Sequence, residues 1–217
     1  MTTTRKIPSA IIFFGPDGSG KTTQADMLVK ELNTSGVKTK KLWLRSLHTL
    51  AFLISKLAMQ LLHLDSVYEF RAKYSQKRSF RRIWYAIEFL SILPLILVRF
   101  RLPLLRGYTI VAERYVIDWI VSLSYLSHNE LMLDSLLARS VLKFIPKGAN
   151  LIYMDATYEA ILSRGRSEDS KEFIEFQRTL YTRIASMLNA TIVDTSDKSI
   201  REVHDLICHH MIGVNSH

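Results

Sequence analysis

Eight residues near the N-terminus, Gly15-Pro16-Asp17-Gly18-Ser19-Gly20-Lys21-Thr22, fit the pattern G-x-x-x-x-G-K-[ST]. No other stretch constrains the chain as much, because the pattern has chemical meaning only between a strand and a helix. Both flanks are present. Ala10 to Phe14 is a short apolar run of β-branched and aromatic residues, the composition of a buried strand. After the loop, Ala25, Leu28, Val29 and Leu32 recur at helical spacing. The glycines let backbone N–H groups turn inward around a phosphate, and the helix N-terminus adds its partial positive charge. Lys21 can then reach β- and γ-phosphates, and Thr22 offers its hydroxyl to Mg2+. The loop, with Thr23 completing it, implies a nucleoside triphosphate ligand.

The rest of the chain reads as strand–helix units. Strands are expected at Val37 to Leu44, Tyr108 to Ala112, Ala149 to Met154 and Thr191 to Val193. Between them the apolar spacing predicts helices over 47–64, 116–126, 131–144, 158–164, 173–188 and 200–212, with Thr157 as a cap. Alternation of this kind predicts an α/β fold, a five-stranded parallel sheet with helices on both faces. With 217 residues, no internal repeat and no low-complexity linker, a single domain is expected. In such sheets ligands sit at the carboxyl ends of the strands. Asp17, Arg45, Glu113, Arg114 and Asp155 all fall just past predicted strand ends, so one crevice is expected to gather them.

Charge is unevenly spread. The net charge is +9, yet 71–106 alone holds nine basic residues against one acid, Glu88. Local basicity points to a phosphate-rich ligand or an anionic surface more than to a nucleic-acid coat. A nucleic-acid motor would also need aromatic stacking surfaces that are not recognisable here. Ile83 to Val98 is strongly apolar between arginines. It is shorter than the roughly 20 residues of a spanning helix and contains Glu88 and Pro94, so a core or subunit-interface helix is expected. An interfacial membrane helix is the second reading. Cys208 is the single cysteine, which is taken to exclude a disulfide framework and any cysteine zinc cluster and makes a reducing cytoplasm the default. The N-terminal segment does not have the pattern of a signal sequence. The seven histidines are read as having no metal-ligand spacing with cysteine or with a second histidine on one helix face, and are assigned no role.

Several motifs together resemble the thymidylate kinases: the GPDGSGKTTQ loop, the triplet Glu113-Arg114-Tyr115, and Leu151 to Ala156 leading to Arg164. Arg164-Gly165-Arg166, Phe173 with Tyr181, and the Val193-Asp194-Thr195-Ser196 end add to the likeness. It covers the loop and nearly everything from Gly107 onward, and it fades between Leu47 and Arg106. In that divergent helical region the family's substrate segment is not recognisable, and no glutamine follows the Glu-Arg-Tyr triplet. The resemblance implies a P-loop kinase fold with a short lid at about 164–172, ATP and Mg2+ as cofactors, a small-molecule nucleotide acceptor and a homodimer. Its implied activity is transfer of the ATP γ-phosphate to dTMP or a related pyrimidine nucleotide. The alternative is a similar phosphotransferase with a different acceptor, including one at a membrane surface.

Phosphoryl transfer needs alignment and charge neutralisation more than covalent help. Lys21, read as an exposed loop lysine, and the loop amides would hold the β/γ-phosphates. Thr22 and Glu113 would hold Mg2+, partly through water. Arg114, whose guanidinium fork suits a phosphate, would clamp the acceptor together with Arg45. Asp17, a carboxylate inside a phosphate loop, is expected to serve acceptor or metal, and Tyr115 to touch the acceptor. Arg164 and Arg166 would close as a lid over the γ-phosphate, stabilising transition-state charge and excluding water.

Overall fold

The computed structural model describes residues 7–44, 50–61, 78–126, 130–165 and 169–213. Five parallel strands form one sheet: β1 (Ala10–Phe14), β2 (Thr39–Trp43), β3 (Thr109–Arg114), β4 (Asn150–Asp155) and β5 (Thr191–Asp194). Their order is β2-β3-β1-β4-β5, so β1 lies at the centre with β3 and β4 as its neighbours. All five residues of β1 are buried, which is why its sequence is an unbroken apolar run rather than an alternation.

Alternate residues of the strands serve two cores. Ile12 and Phe14 join Ile110 and Ala112 against the helices of one face. Ile11 and Phe13 join Val111 and Met154 against α1 (Lys21–Thr34) and the closing helix on the other. The first face is covered by α3 (Arg78–Leu95), α4 (Val116–Leu126) and α7 (Lys171–Met187) through Ile92, Ile117, Ile120 and Ile184. The remaining helices are α2 (Leu50–Leu61), α5 (Leu136–Leu142), α6 (Tyr158–Ser163) and α8 (Ile200–Gly213). Thr157 caps α6 as expected, accepting from the Ala160 N–H at 3.3 Å.

Three local expectations are corrected. Glu113 and Arg114 are the last residues of β3 rather than its cap, held in the ladder by pairing of Arg114 with Trp43 after a register shift. The helix expected over 131–144 is broken into a 3-10 turn (Glu130–Asp134) and α5, because the Ser135 hydroxyl accepts from the Ala138 N–H at 3.1 Å and starts a new helix. The apolar stretch 83–98 belongs to a longer helix. α3 passes through Pro94, loosens into a π-turn (Ile96–Arg101) and ends in one α-turn (Leu102–Leu105).

The span Arg82–Leu105 is long and apolar enough to cross a membrane by length and composition, but it is two-faced. Trp84, Ile92, Ile96 and Phe100 are buried, whereas Ile83, Leu90, Leu97 and Val98 are exposed. α2 packs beside it, the Ala51 N–H donating to the Ser91 hydroxyl at 3.0 Å, and also presents leucines, Leu53 and Leu57, outward.

Candidate functional site

The turn after β1 closes tightly because three of its glycines have positive φ: Gly15 at 143°, Gly18 at 84° and Gly20 at 90°. A Cβ on Gly15 would collide with the Met154 carbonyl of β4, so only glycine lets the loop cross its neighbouring strand. Gly20 then leads directly into α1, whose first turn has no side-chain cap.

Lys21 differs from the exposed lysine expected. It is 4% exposed, and its Nζ donates to the carbonyls of Gly15 at 2.8 Å and Pro16 at 2.6 Å. Burial lowers its pKa to about 8, while the negative charges of Asp118 and Glu113 draw it partly back up. The ammonium is thus folded over its own loop.

β3 supplies the other wall. The Thr22 hydroxyl donates to the Glu113 carboxylate, ninety-one residues away in the chain. Lys41 of β2 steadies that carboxylate at 3.1 Å and also pairs with Asp26 at 2.7 Å. Arg114 pairs with Asp17 across the opening. Beneath them lies Asp118, buried on α4, accepting from the Tyr115 N–H at 3.1 Å and the Tyr181 hydroxyl at 3.0 Å. Burial raises its pKa, against the pull of Arg114 and Lys21.

Tyr115 does not meet the expectation that it touches an acceptor. Its ring is buried against Phe100 with centroids 4.5 Å apart, and its hydroxyl donates to the Phe144 carbonyl at 3.1 Å. Arg45 and Arg166 lie outside the described residues.

On the other side of the loop, Arg164 follows α6 and reaches inward. Its guanidinium donates to the Gly18 carbonyl at 3.1 Å, the Thr195 hydroxyl at 3.3 Å, and the carbonyls of Thr195 and Ser196. The Thr195 hydroxyl in turn donates to Ser19 and Asp155 carbonyls at 3.2 and 3.0 Å. Here Arg164 is an anchored brace between the phosphate loop and the turn after β5. A cleft of about 520 Å3 runs along this arrangement, from Glu113 and Arg114 past the loop to Arg164, Thr195 and Lys198. Four strand ends thus contribute to one crevice.

Two residues that support the site from outside the cleft lining, Asp118 and Arg178, belong to no sequence motif, and Asp155 does not line the cleft as expected. Asp118 has a signal in the sequence, an acid within the apolar run Val116-Ile117-Asp118-Trp119. Arg178 has none. From α7 it grips the Asp155 carboxylate with two bonds of 2.8 and 2.9 Å. Partial burial favours the neutral acid, but Arg178 and the Tyr153 hydroxyl outweigh it and hold Asp155 below the usual carboxylate range. The histidine reading is also corrected. His204 and Cys208 stand one helical turn apart on α8, with Sγ 3.7 Å from Nε2, and Glu31 of α1 meets both.

No protein-family model matches the sequence, and no curated protein matches it. Solved structures do match. A thymidylate kinase from Candida albicans aligns over 94% of this chain and 91% of its own, at 17% identity and a TM-score of 0.62. A deoxyadenosine kinase from M. mycoides, solved with bound dCTP, aligns over 93% and 98% at 16% identity and a TM-score of 0.52. The chain has a P-loop kinase fold. Within this fold the cleft lies where the loop after β1, the ends of β3 and β4, and the turn after β5 converge.

Proposed function

We propose that the protein is an ATP-dependent nucleoside monophosphate kinase that phosphorylates dTMP or a related pyrimidine nucleotide. The observation that carries this reading is the placement of two cleft cations, Lys21 and Arg114, on the one carboxylate of Asp17. Lys21 and the loop amides suit the β/γ-phosphates of a donor, and Arg114, paired with Asp17 at the opening, suits the phosphate of an acceptor. Mg2+ arriving with ATP fits the hard oxygen donors Thr22 and Glu113, and when bound it would neutralise charge on the phosphates.

The residues of the chain do the positioning. Lys21 exchanges loop carbonyls for phosphate oxygens, and Arg164 holds the loop in shape through Gly18. Arg114 leaves Asp17 for the acceptor dianion, freeing the carboxylate to accept from a sugar hydroxyl. Asp118 stays buried beneath both cations as the acceptor that ties Tyr115 N–H to the Tyr181 hydroxyl. The name of the thymidylate kinase neighbour supports a nucleotide acceptor, that of the deoxyadenosine kinase fits a nucleoside, and the sequence motifs favour the thymidine side. A coupled ADP-release screen over dTMP, dUMP, UMP, CMP, AMP and GMP with Mg-ATP tests it. Turnover of dTMP or another pyrimidine monophosphate is the expected result. Activity with none of the six would move the acceptor to another class.

We further propose a homodimer through the outward faces of α2 and α3. Exposed apolar stripes on two adjacent helices favour burial against a like surface. A lipid surface is the weaker occupant, because the arginines that would meet its head groups are partly turned inward. Arg99 lies over the Trp43 ring at 5.8 Å, and Arg101 donates to the Phe144 carbonyl at 3.5 Å.

A further inference from the structure

We propose that Glu31, His204 and Cys208 form a binding site for a borderline-soft divalent metal of the zinc class, on the surface shared by α1 and α8. The three donor atoms already stand at ligand spacing. His204 Nε2 is 3.0 Å from Glu31 Oε2, Cys208 Sγ is 3.5 Å from the same oxygen, and Sγ is 3.7 Å from Nε2. Tetrahedral zinc with its usual bond lengths separates N, O and S ligands by about 3.3 to 3.6 Å. Closing the site therefore asks for shifts of only a few tenths of an ångström, from side chains that reach the surface.

The imidazole is oriented for this role. Gln24 donates its amide N–H to the Ile200 carbonyl at 2.8 Å, which turns its Oε1 toward His204 Nδ1 at 3.0 Å. Nδ1 then carries the ring proton, and Nε2 presents its lone pair to the carboxylate and the thiol. A lone pair facing a carboxylate oxygen at that distance needs a cation or a proton between them. A second hydrogen bond that fixes the far ring nitrogen is the usual support of a metal-binding histidine. The mixed N, O and S donor set disfavours Mg2+, which takes oxygen, and favours Zn2+. Glu31 is half exposed, with 55% of its side chain accessible, which leaves the fourth position to water. Binding would displace the Cys208 thiol proton to solvent, so affinity rises with pH.

Gln24 and Val203 also line the cleft, so the metal would sit one hydrogen bond from the donor pocket. The proposal does not depend on the acceptor or on the transfer reaction.

Titration of the full-length protein with Co2+ in saturating Mg2+ tests it. The expected result is one equivalent bound, with a thiolate-to-cobalt charge-transfer band in the near ultraviolet that Zn2+ abolishes. The oxygen-only donors Thr22 and Glu113 cannot give that band. Cys208→Ser should remove it, and His204→Ala should weaken Zn2+ binding at least about tenfold. Should either helix variant fail to fold, Glu31→Gln, which changes an exposed side chain, carries the same tenfold expectation. Absence of the band in the wild type, or Zn2+ affinity unchanged in these variants, would overturn the site.

Discussion

Arg114 and Asp17 form an ion pair across the opening of the cleft, joining the end of β3 to the phosphate loop. Each neutralises the other until a phosphate dianion competes for the guanidinium. Arg114→Ala should therefore raise the acceptor KM or depress kcat. Losing one charge-assisted contact costs on the order of 2 kcal/mol, some thirtyfold in kcat/KM. Binding of a non-hydrolysable ATP analogue, measured without acceptor, should stay nearly unchanged. A collapse of that binding would move Arg114 to the donor end.

Lys21 gives a pH signature. Its pKa falls from 10.5 in the unfolded chain to about 8 in the folded one, so burying the charged form is a penalty at neutral pH. That penalty is present in full below pH 8. It is relieved between pH 8 and 10.5, where the folded state has released the proton and the unfolded chain keeps it, a gain on the order of 3 kcal/mol. Affinity for the ATP analogue should move the opposite way and weaken above pH 8. Chemical denaturation and analogue binding at pH 7.5 and 9.5 check both directions. Lys21→Met should abolish transfer and remove the part of the stability's pH dependence that this proton causes.

Arg164 and Arg166 should separate kinetically. Arg164→Ala removes the brace between Gly18 and the Thr195–Ser196 turn, so the ATP-analogue Kd should rise several-fold along with any loss of kcat. If Arg166 closes over the γ-phosphate, Arg166→Ala should lower kcat far more than it weakens ATP binding. Equal effects of the two substitutions would argue against this separation of roles.

Arg178→Met should lower stability by about 2 kcal/mol at pH 7, because it strands the half-buried Asp155 carboxylate. Asp155 has a depressed pKa, so the pair's contribution is present above the unfolded carboxylate's 3.8 and is lost as pH falls through the lower folded value. The gap between wild type and variant, measured by urea denaturation, should be widest at neutral pH and narrow toward pH 3.

Leu90→Lys places a charge at the middle of the outward face of α3, where the leucine is 62% exposed. Light scattering should find a dimer for the wild type and a monomer for the variant. A monomeric wild type that floats with anionic vesicles would assign the face to lipid instead.

Much of this fold is legible in the sequence, for reasons that differ by residue. The phosphate loop and β1 announce themselves because backbone geometry admits only glycine at several positions and central burial admits only apolar residues. The strands are legible to within a few residues. The break at Ser135 is not legible because hydrophobic spacing continues straight across it, and only a side-chain cap interrupts the helix. Arg178 and Lys41 were invisible for a different reason. Their partners, Asp155 and Glu113, are far away in the chain, and nothing local distinguishes a pairing cation from a solvated one. Tyr115 shows the limit of a motif, since its neighbours face the cleft while its own ring turns into the core. The fate of Ile83 to Val98 could not be read either, because one helix carries both a core face and an outward apolar face.

The absent side chain at Gly15 has a mechanical consequence. With no Cβ between them, the loop backbone rests directly against the Met154 carbonyl, so the cradle and β4 translate as one piece. The next residue, Asp155, is clamped by Arg178. A rigid linkage therefore runs from the middle of α7 to the phosphate-binding amides, and changes made on that helix can retune the cradle without touching it.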